Sequence, residues 1–220
     1  MVETTLILAS TSPRRNELLR LLEIPFGKRP SNADESHLPD VEPLAYVQQT
    51  ARQKGQAVQQ GEGEWVLSAD TIVVLDGKVV GKPADDAEAF SILRDLRARG
   101  HLVYTALSLR KPNSASVDEG FCETEVFMRD YSETELADYI ASGDFRDKAG
   151  GYAIQHQAFR PCAGLKGCYA NVMGLPLCHL AMLLRGAGLK VSADVPAACQ
   201  RYNEITCEVY PQYYRDEKNG

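Results

Sequence analysis

The spacing of hydrophobic and polar positions changes early in the chain, from a continuous apolar run to helical spacing. Residues 6–9 are apolar, residues 10–13 are polar or proline, and leucines then recur at helical spacing as far as Leu22. This order predicts a buried strand, a tight turn and a helix. Ser12 is a good N-cap residue and Pro13 suits the first helical position, so the helix is expected to begin there.

The middle of the chain gives further strand and helix signals. Residues 25–43 contain four prolines and predict an irregular loop, whereas residues 44–60 have helical spacing. Residues 65–75 predict a strand, and Asp76-Gly77 favours a type I′ hairpin into a second strand at 78–80.

The elements that follow are bounded by caps. A helix is expected over residues 86–99, with Gly100 as its C′ residue, followed by strands at 102–109 and 121–129. Ser132 and Glu135 form a capping box for another helix, which ends near Gly143.

The C-terminal third combines a glycine-rich segment, at 147–177, with a last helix that opens at 176–184. The periodic pattern stops after Lys190, and residues 213–220 are expected to form a mobile tail. We therefore predict a main domain over 1–190 and a partly disordered C-terminal extension over 191–220. Because strands and helices interleave, the predicted fold class is α/β with a mixed, twisted sheet and flanking helices.

Charge and cysteine content narrow the functional class. The 220 residues include 24 basic and 30 acidic side chains, a net charge of −6, which disfavours a general nucleic-acid or membrane-surface binder. The chain has no apolar run of about 20 residues and no signal-peptide pattern at its start, and its six cysteines form no CxxC pair. These features predict a soluble, cytoplasmic protein with reduced thiols.

Two arginines follow the predicted N-cap. Arg14 and Arg15 would lie at the second and third helical positions, where cations oppose the helix dipole. A bound phosphate would reverse this cost, and the hydroxyls of Ser10 and Ser12 could add hydrogen bonds to it. The alternative is a pair of solvated arginines on a surface helix.

Two other charged residues lie on apolar stretches. Lys54 falls on the apolar face of the helix at 44–60, so it must either extend to solvent or meet a negative partner. Asp70 lies among apolar residues near the end of the strand at 65–75, where it is either paired, bound to a metal or used to cap a turn.

Together these residues supply what hydrolysis of a nucleoside triphosphate requires. Lys82, in Gly81-Lys82-Pro83, adds another cation, and Glu35 in the proline-rich loop adds an acid that could help to hold a divalent cation. The chain has no Gly-x-x-x-x-Gly-Lys-Ser/Thr motif, so a P-loop is excluded.

Five segments, in order, resemble the Maf family of nucleoside triphosphate pyrophosphatases, also called septum-formation proteins. They are LASTSPRRNELL at 8–19, ADTIV at 69–73, GKP at 81–83, DKAGGYAIQ at 147–155 and NVMGLPL at 171–177. The resemblance runs from about residue 6 to residue 188. It implies a mixed α/β fold related to the inosine triphosphate pyrophosphatases, with two lobes around a cleft, and it allows a homodimer.

The resemblance also implies the chemistry and the residues that perform it. The α–β phosphoanhydride would be hydrolysed with Mg²⁺ or Mn²⁺, with Asp70 as catalytic acid/base and Glu35 and Asp70 at the metal. Phosphate-binding positions match Ser10, Arg14, Arg15, Lys54 and Lys82. Specificity positions match Arg14, Thr71 and Gln155.

The branch of the family follows from the same positions. Ser12-Pro-Arg-Arg15, Ala69-Asp-Thr71 and Tyr152-Ala-Ile-Gln155 are similar to the branch that prefers dTTP and UTP. His156 departs from the usual glycine and would add a side chain near the base pocket. The alternatives are a pyrophosphatase for another nucleotide, such as 7-methyl-GTP or an inosine-type base, and a cell-division regulator that binds nucleotide without turnover.

Overall fold

A computed structural model describes residues 5–33 and 41–214 of the chain. The strands are β1 (Thr5–Leu8), β2 (Phe26–Lys28), β3 (Glu64–Leu75), β4 (Lys78–Val80), β5 (Gly100–Arg110), β6 (Val117–Met128) and β7 (Cys162–Lys166). The helices are α1 (Pro13–Arg20), α2 (Pro43–Gln56), α3 (Asp86–Leu96), α4 (Glu133–Ala141), α5 (Tyr169–Val172), α6 (Leu177–Gly186), α7 (Val195–Asn203) and α8 (Tyr210–Tyr213). A short 3₁₀ turn spans Ala149–Gly151.

The strands form one mixed sheet in the order β2-β1-β3-β5-β6-β7, with β4 added against β3. β1 pairs in parallel with β2 and β3, and all the other pairings are antiparallel. The predicted α/β class with a mixed sheet is therefore confirmed.

One edge of β3 carries two different partners. β1 pairs with it as far as Leu67, and β4 pairs with it from Val73 onwards. Residues 68–72 lie between these two pairings, and no other described strand pairs with this edge there. The sheet is thus open beside Asp70 and Thr71, while β5 holds the opposite edge of β3 in register throughout.

Packing on one face of β3 divides at the same place. Leu67 and Ala69 belong to the hydrophobic cluster that includes residues of α1 and α6, whereas Val73 belongs to the cluster built on α3 and α4. Thr71 lies between them on this face. Helix α2 covers the other face, where Val47 and Ala51 pack with Ile72. The two clusters form the two predicted lobes, and the opening lies between them.

Most local predictions are confirmed, with small shifts at the ends of elements. Ser12 caps α1, Ser132 and Glu135 form the capping box of α4, and Asp76 and Gly77 have the positive φ angles of a type I′ turn.

Three predictions differ from the structure. The loop predicted at 25–43 contains β2, a three-residue edge strand that exists because it pairs with β1. Gly100 is the first residue of β5 and not a helix C′ residue, since α3 ends earlier, at Leu96.

The third difference is the segment after Lys190, which carries α7 and α8. Val195 and Cys199 of α7 belong to the cluster beneath α6, and Tyr214 is buried in it as well. Within the predicted tail, Tyr213 is thus the last residue of α8 and Tyr214 packs into the core, and residues 215–220 lie outside the described part.

No helix within residues 5–33 and 41–214 has the length and apolar character needed to cross a membrane.

Candidate active site

A cavity of about 290 Å³ lies at the opening beside residues 68–72 of β3. Its walls come from the turn before α1, the end of α2, the centre of β3, the β4 hairpin and the glycine-rich segment after α4. The predicted site residues that line it are Ser10, Arg14, Arg15, Lys54, Asp70, Thr71, Lys82 and Gln155. Glu35, the remaining predicted residue, lies outside the described residues.

Lys54 and Asp70 form a buried ion pair in this cavity. The Lys54 Nζ atom is 2.7 Å from Oδ1 of Asp70, and the two side chains keep only 9% and 11% of their exposure. Lys54 therefore does not extend to solvent, and Asp70 is paired and does not cap a turn.

Close contact between α2 and β3 makes this ion pair possible. Gly55 lies against Ser68, so a Cβ at position 55 would be 2.7 Å from the Ser68 hydroxyl. That hydroxyl donates a 2.6 Å hydrogen bond to the carbonyl of Ala51, one turn earlier in α2. The neighbouring Lys54 thereby faces the next inward residue of the strand, Asp70.

The turn before α1 supplies one wall. The Ser12 hydroxyl accepts from the Arg15 amide, and the Ser12 amide donates to the Ser10 hydroxyl at 3.1 Å. This places the start of α1, with its positive dipole end, at the cavity. An anion bound here would be stabilised by the start of the helix and by Arg14, the second residue of α1.

Arg14 reaches across the cavity to the opposite wall. Its Nη1 atom lies 3.4 Å from Oδ2 of Asp147, and the other carboxylate oxygen of Asp147 lies 2.6 Å from Nζ of Lys148. Burial alone would raise the pKa of Asp147, but the hydrogen bond from Lys148 and the charge of Arg14 together lower it. The Asp147 carboxylate is therefore charged at neutral pH and partly offsets the two cations.

Arg15 points into the protein from the same turn. Its Nη2 atom donates to the Thr71 hydroxyl at 3.0 Å and its Nε atom donates to the carbonyl of Gly174 at 2.9 Å. Gly174 has a φ of +103°, and a Cβ there would be 3.3 Å from the Thr71 hydroxyl. Arg15 thus positions Thr71 and residue 174 in addition to lining the cavity.

The sequence-based prediction did not include Lys148 or Tyr152, which also line the cavity. Lys148 is only 6% exposed, and its ammonium is held by Asp144 and Asp147. Both residues belong to the motif at 147–155 that carries the family resemblance, and a lysine in a glycine-rich segment was the available signal.

Tyr152 is fixed from behind by a buried histidine. Its hydroxyl lies 2.7 Å from Nε2 of His101, which is 3% exposed. Burial lowers the pKa of His101 to about 4 and raises that of Tyr152 well above its usual value, so both are neutral at pH 7. The tyrosine ring therefore contributes a neutral wall to the cavity.

His156, which the sequence suggested as a side chain near the base pocket, is turned away. Its Nδ1 atom accepts a 3.0 Å hydrogen bond from the Phe159 amide, and its ring packs edge-on against Tyr139. It does not line the cavity.

The described residues of the cavity offer only part of a metal site. Within residues 5–33 and 41–214, no group of three His, Cys, Asp or Glu side chains is arranged to hold a metal ion. Mg²⁺ is commonly bound by one or two carboxylates together with substrate phosphates. The Asp70 carboxylate at the cavity fits that mode.

Comparison with known proteins gives consistent matches. A family model described as "Maf-like protein" matches residues 5–187. A dTTP/UTP pyrophosphatase of Thermomicrobium roseum is 43% identical over 212 residues, which cover 93% of this chain and 96% of that protein. One of Thermus thermophilus is 45% identical over 185 residues, which cover 84% of this chain and 96% of that protein.

Among solved structures, a Ham1 protein of Staphylococcus aureus is 14% identical, with a TM-score of 0.43 over 59% of this chain and 75% of that chain.

Proposed function

The chain belongs to the Maf family, and from this premise we propose that it hydrolyses dTTP and UTP to the nucleoside monophosphate and pyrophosphate. The two relatives named dTTP/UTP pyrophosphatase align with 93% and 84% of the chain. The observation that carries the proposal is the cavity itself, which Arg14, Lys54 and Lys82 line together with the carboxylate of Asp70. Such a set of cations suits a triphosphate, and the carboxylate suits activation of water.

In the proposed reaction, a water oxygen attacks the α-phosphorus while the Asp70 carboxylate accepts its proton. The bond from the α-phosphorus to the bridging oxygen breaks, and pyrophosphate leaves. Lys54 holds the Asp70 carboxylate in place through its 2.7 Å contact with Oδ1. The start of α1, Arg14 and Lys82 bind the charge that builds up on the phosphate oxygens.

A divalent cation belongs to the proposal. Asp70, together with Glu35, would hold it, and when bound it would neutralise phosphate charge and lower the pKa of a coordinated water. We expect the ion to arrive with the triphosphate, because the described residues of the cavity supply only part of a ligand set. Removing divalent ions with EDTA should therefore abolish turnover without lowering the melting temperature of the nucleotide-free protein.

A cytoplasmic location and a homodimer are also part of the proposal. The six cysteine side chains are all free thiols, which supports a reducing compartment. The mass measured by light scattering will decide between monomer and dimer.

The deciding experiment is pyrophosphate release from dTTP, UTP, CTP, 7-methyl-GTP, ITP and dATP with Mg²⁺ or Mn²⁺. We expect dTTP and UTP to be the best substrates and Asp70→Asn to lower kcat by about 100-fold or more. Asp76→Asn is the matched control, because Asp76 directly follows the same strand, in the turn to β4, and lies outside the cavity.

The outcomes separate the alternatives. A preference for 7-methyl-GTP or ITP would replace the substrate and keep the chemistry. Nucleotide binding without turnover of any substrate by the folded protein would favour the regulatory alternative. Wild-type rates in Asp70→Asn would refute the role of Asp70.

A further inference from the structure

A row of hydrogen-bonded hydroxyl groups runs inward from the cavity through Thr71. Arg15 donates to the Thr71 hydroxyl at 3.0 Å, and the Thr71 and Thr105 hydroxyls lie 2.9 Å apart. The Thr105 hydroxyl is in turn 3.0 Å from the backbone carbonyl of Asn171. Thr71 is half-buried and lines the cavity, whereas Thr105 and Asn171 are fully buried.

The direction of each hydrogen bond in this row is fixed by its far end. A backbone carbonyl only accepts, so the single hydroxyl hydrogen of Thr105 is used on Asn171. Thr105 therefore accepts from Thr71, and the one hydroxyl hydrogen of Thr71 is used in this bond. Because the Arg15 guanidinium only donates, it occupies one of the two lone pairs of the Thr71 oxygen.

The consequence for a ligand in the cavity is specific. The Thr71 oxygen has no hydrogen left to donate and one lone pair left to accept. It can meet an N–H group of a ligand and opposes a ligand acceptor. Gln155, which also lines the cavity, is less selective, because its amide offers a donor and an acceptor that exchange places when it rotates.

We infer that Thr71 accepts a hydrogen bond from the ring N3–H of uracil or thymine, and that Thr105 is the positioning residue that fixes this polarity. Cytosine has an unprotonated N3 in the same place, so two lone pairs would face each other. This inference rests on the proposed pyrimidine triphosphatase function. It makes the discrimination of uracil from cytosine depend on Thr105, which does not itself touch the base.

The test is the ratio of kcat/KM for UTP to that for CTP. In Thr105→Val the Thr71 hydroxyl loses its acceptor and is released to donate into the cavity, so we expect this ratio to fall about tenfold. The carbonyl of Asn171 still accepts from the Gly174 amide at 2.9 Å, so the substitution leaves that buried carbonyl with a partner.

Two further variants separate specificity from stability. Thr105→Ser keeps the hydroxyl and should keep the wild-type ratio. Thr124→Val makes the same change of side chain on β6, where the hydroxyl bonds Asn171 Nδ2 and the carbonyl of Cys168 but not Thr71. It should lower the melting temperature and leave the ratio unchanged.

A pair of nucleotides tests the same contact without mutation. 3-Methyl-UTP lacks the N3 hydrogen, whereas 5-methyl-UTP carries a methyl group of the same size and keeps that hydrogen. The wild-type protein should turn over 3-methyl-UTP at least about tenfold less efficiently than 5-methyl-UTP.

An unchanged ratio in folded Thr105→Val would overturn the inference and leave the proposed function intact, as would equal turnover of the two methylated nucleotides. A wild-type preference for CTP would overturn the inference and the proposed substrate together. Absence of UTP and dTTP turnover by the wild-type protein would remove the proposed function, and the inference with it.

Discussion

The ammonium of Lys54 on α2 lies 2.7 Å from the carboxylate of Asp70 on β3, and both side chains are about nine-tenths buried. An ion pair of this kind is retained at a cost, since both groups lose their hydration. Its position at the gap in the sheet gives it a role beyond stability. The pair places a charged carboxylate, with one oxygen already oriented, in the wall of the cavity.

The energetic coupling of this pair can be measured by a double-mutant cycle. Lys54→Met and Asp70→Asn should each lower the free energy of unfolding by about 3 kcal/mol, because each leaves the other charge buried without its partner. The double variant should lose less than the sum of the two, as measured by urea denaturation at pH 7. Additive losses would show that the two side chains are energetically independent.

The buried His101 should make stability depend on pH. Its folded-state pKa is about 4, below the ordinary value of 6.5, so the unfolded chain binds a proton more readily. The stability that depends on a neutral His101 is fully present above pH 6.5 and is lost as the pH falls towards 4. Between pH 7 and pH 5 the loss should be about 2 kcal/mol. His101→Gln keeps a polar partner for Tyr152 but cannot titrate, so it should be less stabilised by raising the pH. An identical pH dependence for both proteins would contradict the assignment.

Lys148 should control the charge of the cavity wall. Without its ammonium, the Asp147 carboxylate would repel a triphosphate, so Lys148→Met should raise KM for dTTP roughly tenfold and change kcat less. Adding Asp147→Asn should bring KM back towards the wild-type value. Lys166→Met is the control, because Lys166 is three-quarters exposed and lies outside the cavity. Failure of the second substitution to restore KM would argue that Lys148 contacts the nucleotide directly.

Gly174 should be required for activity as well as for folding. Gly174 and Gly188 both have positive φ angles, so alanine at either position should cost about 1–2 kcal/mol of stability. A Cβ at Gly188 would meet nothing within 4 Å, whereas one at Gly174 would lie only 3.3 Å from the Thr71 hydroxyl. We therefore expect a loss of kcat/KM for UTP in Gly174→Ala but not in Gly188→Ala. Equal values of kcat/KM in the two variants would show that residue 174 does not affect the site.

Signals that act over a few residues were sufficient for most of the fold. The Ser12 cap, the capping box of Ser132 and the Asp76-Gly77 turn each depend on neighbours in the chain, and the structure has all three. β2 was missed because three half-buried residues carry no periodic pattern, and it is a strand only through its pairing with β1. Helix α7 did carry a local signal, since Asp194 caps it and Pro196 follows in its first turn.

The sequence by itself determined the residue types of the site, their order and the elements that carry them. Only the tertiary structure decided which of them meet. β1 ends opposite Leu67 and β4 ends opposite Val73, and this leaves the gap where Asp70 and Thr71 face the cavity. Sequence spacing left the partner of Lys54 open, and for Arg15, as for Arg14, it left open phosphate binding and exposure to solvent. Burial and long-range hydrogen bonding resolved both, because a charge or hydroxyl inside a protein takes whichever partner the packing of distant segments brings within about 3 Å.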